Sequence, residues 1–251
     1  SEIIGLKENS SAKTGTVYAR TTGFNQRGEV VLSYVRSVMV RKRDEASPAP
    51  VAHVPELAKV AALPTAPKIT NWNFEVSGSP HRFDDYAIGE KIDHLDGVTV
   101  EEAEHQMATR LYQNTARVHF NEFAEAQGRF GRRLAYGGHV MSTARALSFN
   151  GLANAYHIAA INGGRHVAPL FAGGTVLAWS EIKDKAALAG RDDVGALRIV
   201  PPAMPNNSAS AQRSKPESLM IVVGVRRERP SSHSVRAWAP SSTGTASPSS
   251  S

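Results

Sequence analysis

Residues 137–153 read Gly137-Gly138-His139-Val140-Met141-Ser142-Thr143-Ala144-Arg145-Ala146-Leu147-Ser148-Phe149-Asn150-Gly151-Leu152-Ala153, and no other run of the chain constrains the architecture as tightly. Val140, Met141, Ala144, Ala146, Leu147 and Leu152 surround a helical axis, and Arg145 is the only charged side chain besides a protonatable His139. A helix that is apolar all round has no solvated face and has to be enclosed. The next residues supply the enclosure. Strand patterns occur at His157–Ile161, Thr175–Ile182 and Gly195–Val200, with the turn pairs Gly163-Gly164 and Gly173-Gly174. The expectation is an α+β unit: one long helix from about Gly138 to Ala153, burying Val140, Ala144 and Leu147, wrapped by an antiparallel sheet.

Working outward, Thr99-Val100-Glu101-Glu102 reads as a capping box, a hydroxyl and a carboxylate satisfying free N–H groups at a helix start. Val100, Ala103, Met107 and Leu111 then recur on one face, which predicts an amphipathic helix over 100–112 with that face inward. Near the beginning of the chain, Thr16–Arg20 and Val30–Arg36 are strand-like and flank the turn Asn25-Gln26-Arg27-Gly28. A hairpin alone is marginal in water, so this piece calls for a neighbour. Four segments result: strands in 1–44, a Pro/Ala-rich linker in 45–70, the helix-and-sheet domain in 71–200, and a low-complexity segment in 201–251. The last holds seven of the 14 prolines, and it is expected to be largely disordered apart from a strand-like Leu219–Val223.

Composition narrows the function classes. With 251 residues and 41% apolar content the chain can bury a substantial core. Zero cysteines exclude disulfides, thiolate metal sites and a cysteine nucleophile, and point to the cytoplasm. The start, Ser1-Glu2-Ile3-Ile4-Gly5-Leu6, lacks the basic-then-apolar order of a signal peptide and, without a methionine, reads as a cut edge; no run is long enough for a membrane span. Of the net +6, +4 lies after Val200, where six basic side chains face two acidic ones. The remaining +2 over 200 residues is too little for a nucleic-acid footprint. No HExxH, P-loop, GxGxxG after a strand or GxSxG elbow occurs, so zinc-protease, nucleotide-binding and serine-hydrolase readings have no motif behind them. No metal site is expected.

The runs Tyr112-Gln113-Asn114-Thr115-Ala116-Arg117-Val118-His119-Phe120 and Gly131-Arg132-Arg133-Leu134-Ala135-Tyr136-Gly137-Gly138-His139-Val140, continuing through Ala144–Asn154 and Ala159–Pro169, closely resemble the second half of MaoC-type double hot-dog hydratases of the mesaconyl-CoA kind. The resemblance covers roughly residues 1–199. It implies a hot-dog fold, with residues 1–44 as the last strands of a first unit and 71–200 as the second. It also implies an acyl-CoA thioester as substrate, no cofactor beyond the CoA that the substrate carries, and a homo-oligomer through hot-dog packing. After Val200 the resemblance stops, and the Arg/Ser/Pro bias looks like translation in a shifted frame.

Hydrating an α,β-unsaturated thioester requires a base for water, a proton for the α-carbon and donors at the thioester oxygen. Related hydratases share an Asp-x-Asn-Pro-x-His motif. Laid on this chain, its histidine falls on His119, its acid on Asn114 and its Asn-Pro on Ala116-Arg117. An amide orients water but takes no proton at neutral pH, so His119 is left as the base, while Asn114 is equally well read as a turn former at a helix end. Arg117 suits a substrate carboxylate through its planar fork. Gly137 and Gly138, opening the buried helix, are candidate oxyanion donors or a plain tight turn. The readings kept beside hydration are a hot-dog thioesterase and an inactive, truncated acyl-CoA-binding fragment.

Overall fold

The computed structural model describes residues 1–56, 66–164, 166, 168–200, 203–206 and 219–225. It divides into two compact units, Ser1–Ala58 and Lys59–Ser251. In the first, β1 (Glu2–Glu8), β2 (Thr14–Phe24) and β3 (Val30–Arg41) form an antiparallel sheet in the order β1-β2-β3. The turn between β2 and β3 is built as its residues suggest: Asn25 Oδ1 accepts from the N–H groups of Arg27 and Glu29, and Gly28 takes the positive φ of 75°.

The second unit contains α1 (Phe74–Ser77), β4 (Lys91–Thr99), α2 (Glu102–Leu111), α3 (Glu122–Glu125), α4 (Gly137–Leu147), α5 (Phe149–Leu152), β5 (His157–Gly163), β6 (Thr175–Ala187), β7 (Val194–Val200), β8 (Ala203–Asn206) and β9 (Leu219–Val225). Its sheet runs β4-β6-β7-β9-β5, with β8 also on β6, and the pairings are antiparallel. β7 pairs with residues 181–187 of β6 and β8 with residues 175–178 on the same side, so the two continue one line. The intervening Pro201-Pro202 carry no N–H with which to extend the ladder. Residues 219–225 thus form a strand where Leu219–Val223 is strand-like in sequence, and 203–206 form another within the stretch expected to be disordered. The rest of that stretch, including everything after Val225, lies outside the described residues.

Helix α4 packs against β4 and β6, and Val140, Ala144 and Leu147 are buried with Val100, Val176 and Ala178. The expected single long helix is broken, however. Asn150 and Gly151, inside the short α5, leave helical geometry, Gly151 at φ 142°. The break frees the Asn150 carbonyl to pair with His94 Nδ1 at 3.1 Å, while Asn150 Nδ2 donates to Asp96 at 2.7 Å. The missing helical bonds are thereby replaced by ties to β4. Arg145, the charge inside this apolar segment, donates to Ser148 Oγ and to the Ala155 carbonyl at 2.8 and 3.0 Å.

Helix α2 corrects two expectations. Thr99 ends β4, its hydroxyl paired with that of Thr175, and the box that opens the helix is made by Glu101 and Glu104. The inward face is His105, Ala108 and Thr109, whereas Met107 and Leu111 are 67% and 71% exposed. Thr109 Oγ1 donates to the His105 carbonyl at 2.8 Å and His105 Nε2 meets Glu102 at 3.2 Å, whereas His105 Nδ1 is buried without a hydrogen-bond partner among the described residues. The end of the expected linker also packs: Ala66 and Ile69 lie against Leu188, Val194 and Ala196, and Arg191 Nη1 donates to the Ala66 carbonyl.

Candidate active site

The chain leaves α2 through Gln113 at φ 52° and turns at Asn114, whose Oδ1 accepts the N–H of Ala116 at 2.9 Å. That bond is the one a turn former makes, and it uses one of the two lone pairs of the amide oxygen. A 3₁₀ turn, Arg117–His119, follows. Arg117 is exposed, and among the described residues its guanidinium makes no ion pair or hydrogen bond.

His119 is half-buried and its Nδ1 lies 3.1 Å from the carbonyl oxygen of Leu134; the Leu134 N–H in turn donates to the Val118 carbonyl at 2.9 Å. A carbonyl only accepts, so Nδ1 carries the proton of the neutral ring and Nε2 holds a lone pair. Among the described residues Nε2 makes no hydrogen bond. Burial pushes the His119 pKa below the ordinary histidine value; the Leu134 bond and Glu125 oppose the shift, and the positive forms of His105 and His166 add to it. The ring is therefore neutral at neutral pH, with one basic nitrogen free.

Arg133, next to Leu134, fastens this segment. Its guanidinium donates to Glu122 Oε2 at 3.0 Å and to Gln106 and Glu102, joining α3 and α2. Tyr136 stands edge-on to His119, ring centres 5.7 Å apart, and 6.3 Å from Tyr112.

Gly137 and Gly138 open α4, whose Tyr136 cap supplies no side-chain bond. The first N–H groups of a helix have no intrahelical acceptor, which leaves those of Gly137 and Gly138 without a partner inside α4. Both glycines sit beneath rings. A Cβ on Gly137 would lie 2.4 Å from His166 Nε2, and one on Gly138 would lie 2.7 Å from the Tyr136 ring. His119, Gly137 and Gly138 are thus brought to one place, together with Tyr136, Leu134, Arg133 and His166, which the sequence reading did not assign. These residues are 14 to 47 positions from His119 and follow no shared spacing. No group of three or more His, Asp or Glu side chains among the described residues is arranged to hold a metal.

An antiparallel sheet packed on a central helix is the hot-dog arrangement. No family model matches the chain. Curated relatives do: it is 58% identical over 204 residues to β-methylmalyl-CoA dehydratase of Chloroflexus aurantiacus. It is 60% identical over 204 residues to mesaconyl-CoA hydratase of Cereibacter sphaeroides. Each match takes in 79% of this chain and 58% of the relative, so the chain spans a little over half the length of these proteins. Among solved structures, a MaoC domain protein dehydratase from Chloroflexus aurantiacus is 51% identical with a TM-score of 0.85, the match covering 90% of this chain and 69% of that one. A double hot-dog protein from Mycobacterium tuberculosis, 22% identical, has a TM-score of 0.66 over 89% of this chain and 67% of its own, which bears on the fold. The chain belongs to the MaoC-domain dehydratase family.

Proposed function

We propose that the chain catalyses the reversible hydration of mesaconyl-CoA to β-methylmalyl-CoA. The observation that carries this reading is the His119 ring, fixed by Leu134 in the tautomer that leaves Nε2 basic and open. Nε2 takes a proton from water as the hydroxyl oxygen bonds to the β-carbon. The double-bond electrons move onto the thioester, whose oxygen becomes an enolate held by the N–H groups of Gly137 and Gly138. Return of the proton from His119 to the α-carbon restores the thioester and the base. Asn114 shapes the turn that presents His119, and Arg117, exposed and without a partner among the described residues, faces the free carboxylate of the substrate. CoA enters only as part of the substrate, and the site of action is the cytoplasm. No helix among the described residues is long and apolar enough to cross a membrane. The family's packing leads us to propose a homo-oligomer, and residues 1–44 and 71–200 as parts of successive hot-dog units.

The test is incubation of the purified chain with mesaconyl-CoA, following loss of enoyl-thioester absorbance and gain of one water by mass. Free CoA, titrated with a thiol reagent, is expected to stay at background. Its release without hydration would replace this reading with thioester hydrolysis. Binding of mesaconyl-CoA with neither reaction would make the chain an acyl-CoA-binding fragment.

A further inference from the structure

The hydration chemistry asks more of the site than His119 supplies. Its Nδ1 is committed to Leu134, and the one nitrogen left has to handle the proton of water. Charge developing on the thioester falls to the N–H groups of Gly137 and Gly138, and a side-chain donor beside them would share that work. Asn114 Oδ1 accepts the Ala116 N–H in its turn, and Tyr136 stands against the rings of His119 and Tyr112.

His166 is the other polar ring at this place. It belongs to the segment after β5, far from His119 in sequence, and its ring is exposed. Its leading edge, Nε2 and Cε1, comes within 2.4 and 2.6 Å of where a Gly137 side chain would begin, so a side chain at 137 would have to displace the ring. It is also near enough to His119 that a positive charge on one disfavours a positive charge on the other. The Nε2 edge of His166 therefore lies at the first residue of α4, where the helix N–H groups have no intrahelical acceptor.

We propose that His166 is a second catalytic residue, donating an Nε2 hydrogen bond to the thioester oxygen as enolate charge develops while His119 moves the proton. The inference rests on the hydratase reading above. It assigns the electrophilic work to a side chain rather than to the helix amides alone, and it gives Gly137 a specific duty: to make room for that ring. No proton changes hands at His166. The donor keeps its hydrogen throughout, and the proton taken from water returns to the α-carbon through His119.

Glutamine separates donation from proton transfer, because its amide N–H donates and does not titrate. His166→Ala is expected to lower kcat by about 10²-fold, the scale for losing one oxyanion donor, with KM changed far less. His166→Gln should recover at least about tenfold of that loss, and Gly137→Ala should resemble His166→Ala because its methyl group displaces the ring. A readout without turnover uses the His119→Ala background, in which bound mesaconyl-CoA persists. There the Raman stretch of the thioester carbonyl should shift to lower frequency on binding, lose that shift with His166→Ala and keep it with His166→Gln. If the parent chain hydrates mesaconyl-CoA and His166→Ala does so equally well, this assignment falls and the hydratase reading stands. Equal inactivity of the Ala and Gln variants overturns donation in favour of proton transfer. A parent chain with no hydratase activity removes both readings together.

Discussion

Trp72 donates its indole N–H to Asn154 Oδ1 at 2.9 Å, and Asn154 Nδ2 donates in turn to the carbonyls of Ser79 and His81 at 3.0 and 2.6 Å. Asn154 is 1% exposed, so one amide joins the segment before β4 to the end of α5 from inside the core. Asn154→Ala would strand a donor and two acceptors, each worth about 1–3 kcal/mol when buried and unpaired, with water recovering part. The expected loss is about 2–4 kcal/mol, read from urea unfolding followed by Trp fluorescence. A loss under about 0.5 kcal/mol would mean that the three partners find water.

His94 is 3% exposed, with Nδ1 on the Asn150 carbonyl and Nε2 2.9 Å from Ser180 Oγ. Burial holds its pKa below the usual 6.5, against the opposing Asn150 bond. The unfolded chain therefore binds a proton near pH 6.5 that the folded chain refuses, so stability is full above that pH and declines as pH falls toward the folded pKa. His119, also lowered, contributes in the same sense. The urea midpoint should drop between about pH 7.5 and 5.5, and His94→Gln, which hydrogen bonds without titrating, should flatten part of that slope. An unchanged slope in the variant would place the acid sensitivity elsewhere.

For catalysis by His119 the same depressed pKa sets the acid limb. The base is lost when its imidazole protonates, so hydratase activity should fall on acidification with an apparent pKa below 6.5. His119→Ala should reduce turnover by about 10²–10⁴-fold with a smaller effect on binding. Full mesaconyl-CoA hydration by a folded His119→Ala protein would rule this base out.

Arg133 tests how tightly that base is held. Its side chain is 16% exposed, but Glu102 and Glu122 are 63% and 57% exposed, so each pair contributes no more than about 1 kcal/mol. Arg133→Met is accordingly expected to cost about 1–2 kcal/mol in stability, yet to lower kcat more than it raises KM, because the Leu134 carbonyl loses its anchor. It should also move the acid limb toward 6.5 as water reaches the His119 ring. A kinetic profile identical to the parent would make Arg133 purely a surface tie.

The α4 core was legible because Val140, Ala144 and Leu147 follow from apolar periodicity alone. Its break was less so: Gly151 is visible in sequence, but the reason for the kink is His94 on β4, and β4 itself was missed. Asp93, Asp96 and Gly97 weaken its strand pattern, and Leu95 is 92% exposed. On α2 the helix was legible and its inward face was not, because packing buries His105 and Thr109 while Met107 and Leu111 stay exposed. His119 was readable from its motif, while Leu134, Tyr136 and His166 reach it through tertiary folding.

The acceptor that fixes the His119 tautomer is main chain, and this makes that tautomer resistant to genetic damage. Where a carboxylate orients an imidazole, one codon change removes the acceptor. Every residue type at position 134 carries the same carbonyl oxygen, so no missense change there deletes it. Proline alone would remove the N–H that Leu134 gives to Val118. Selection on the proton inventory of this base therefore falls on what shapes the backbone around Leu134 and leaves the identity of that side chain free to answer to packing.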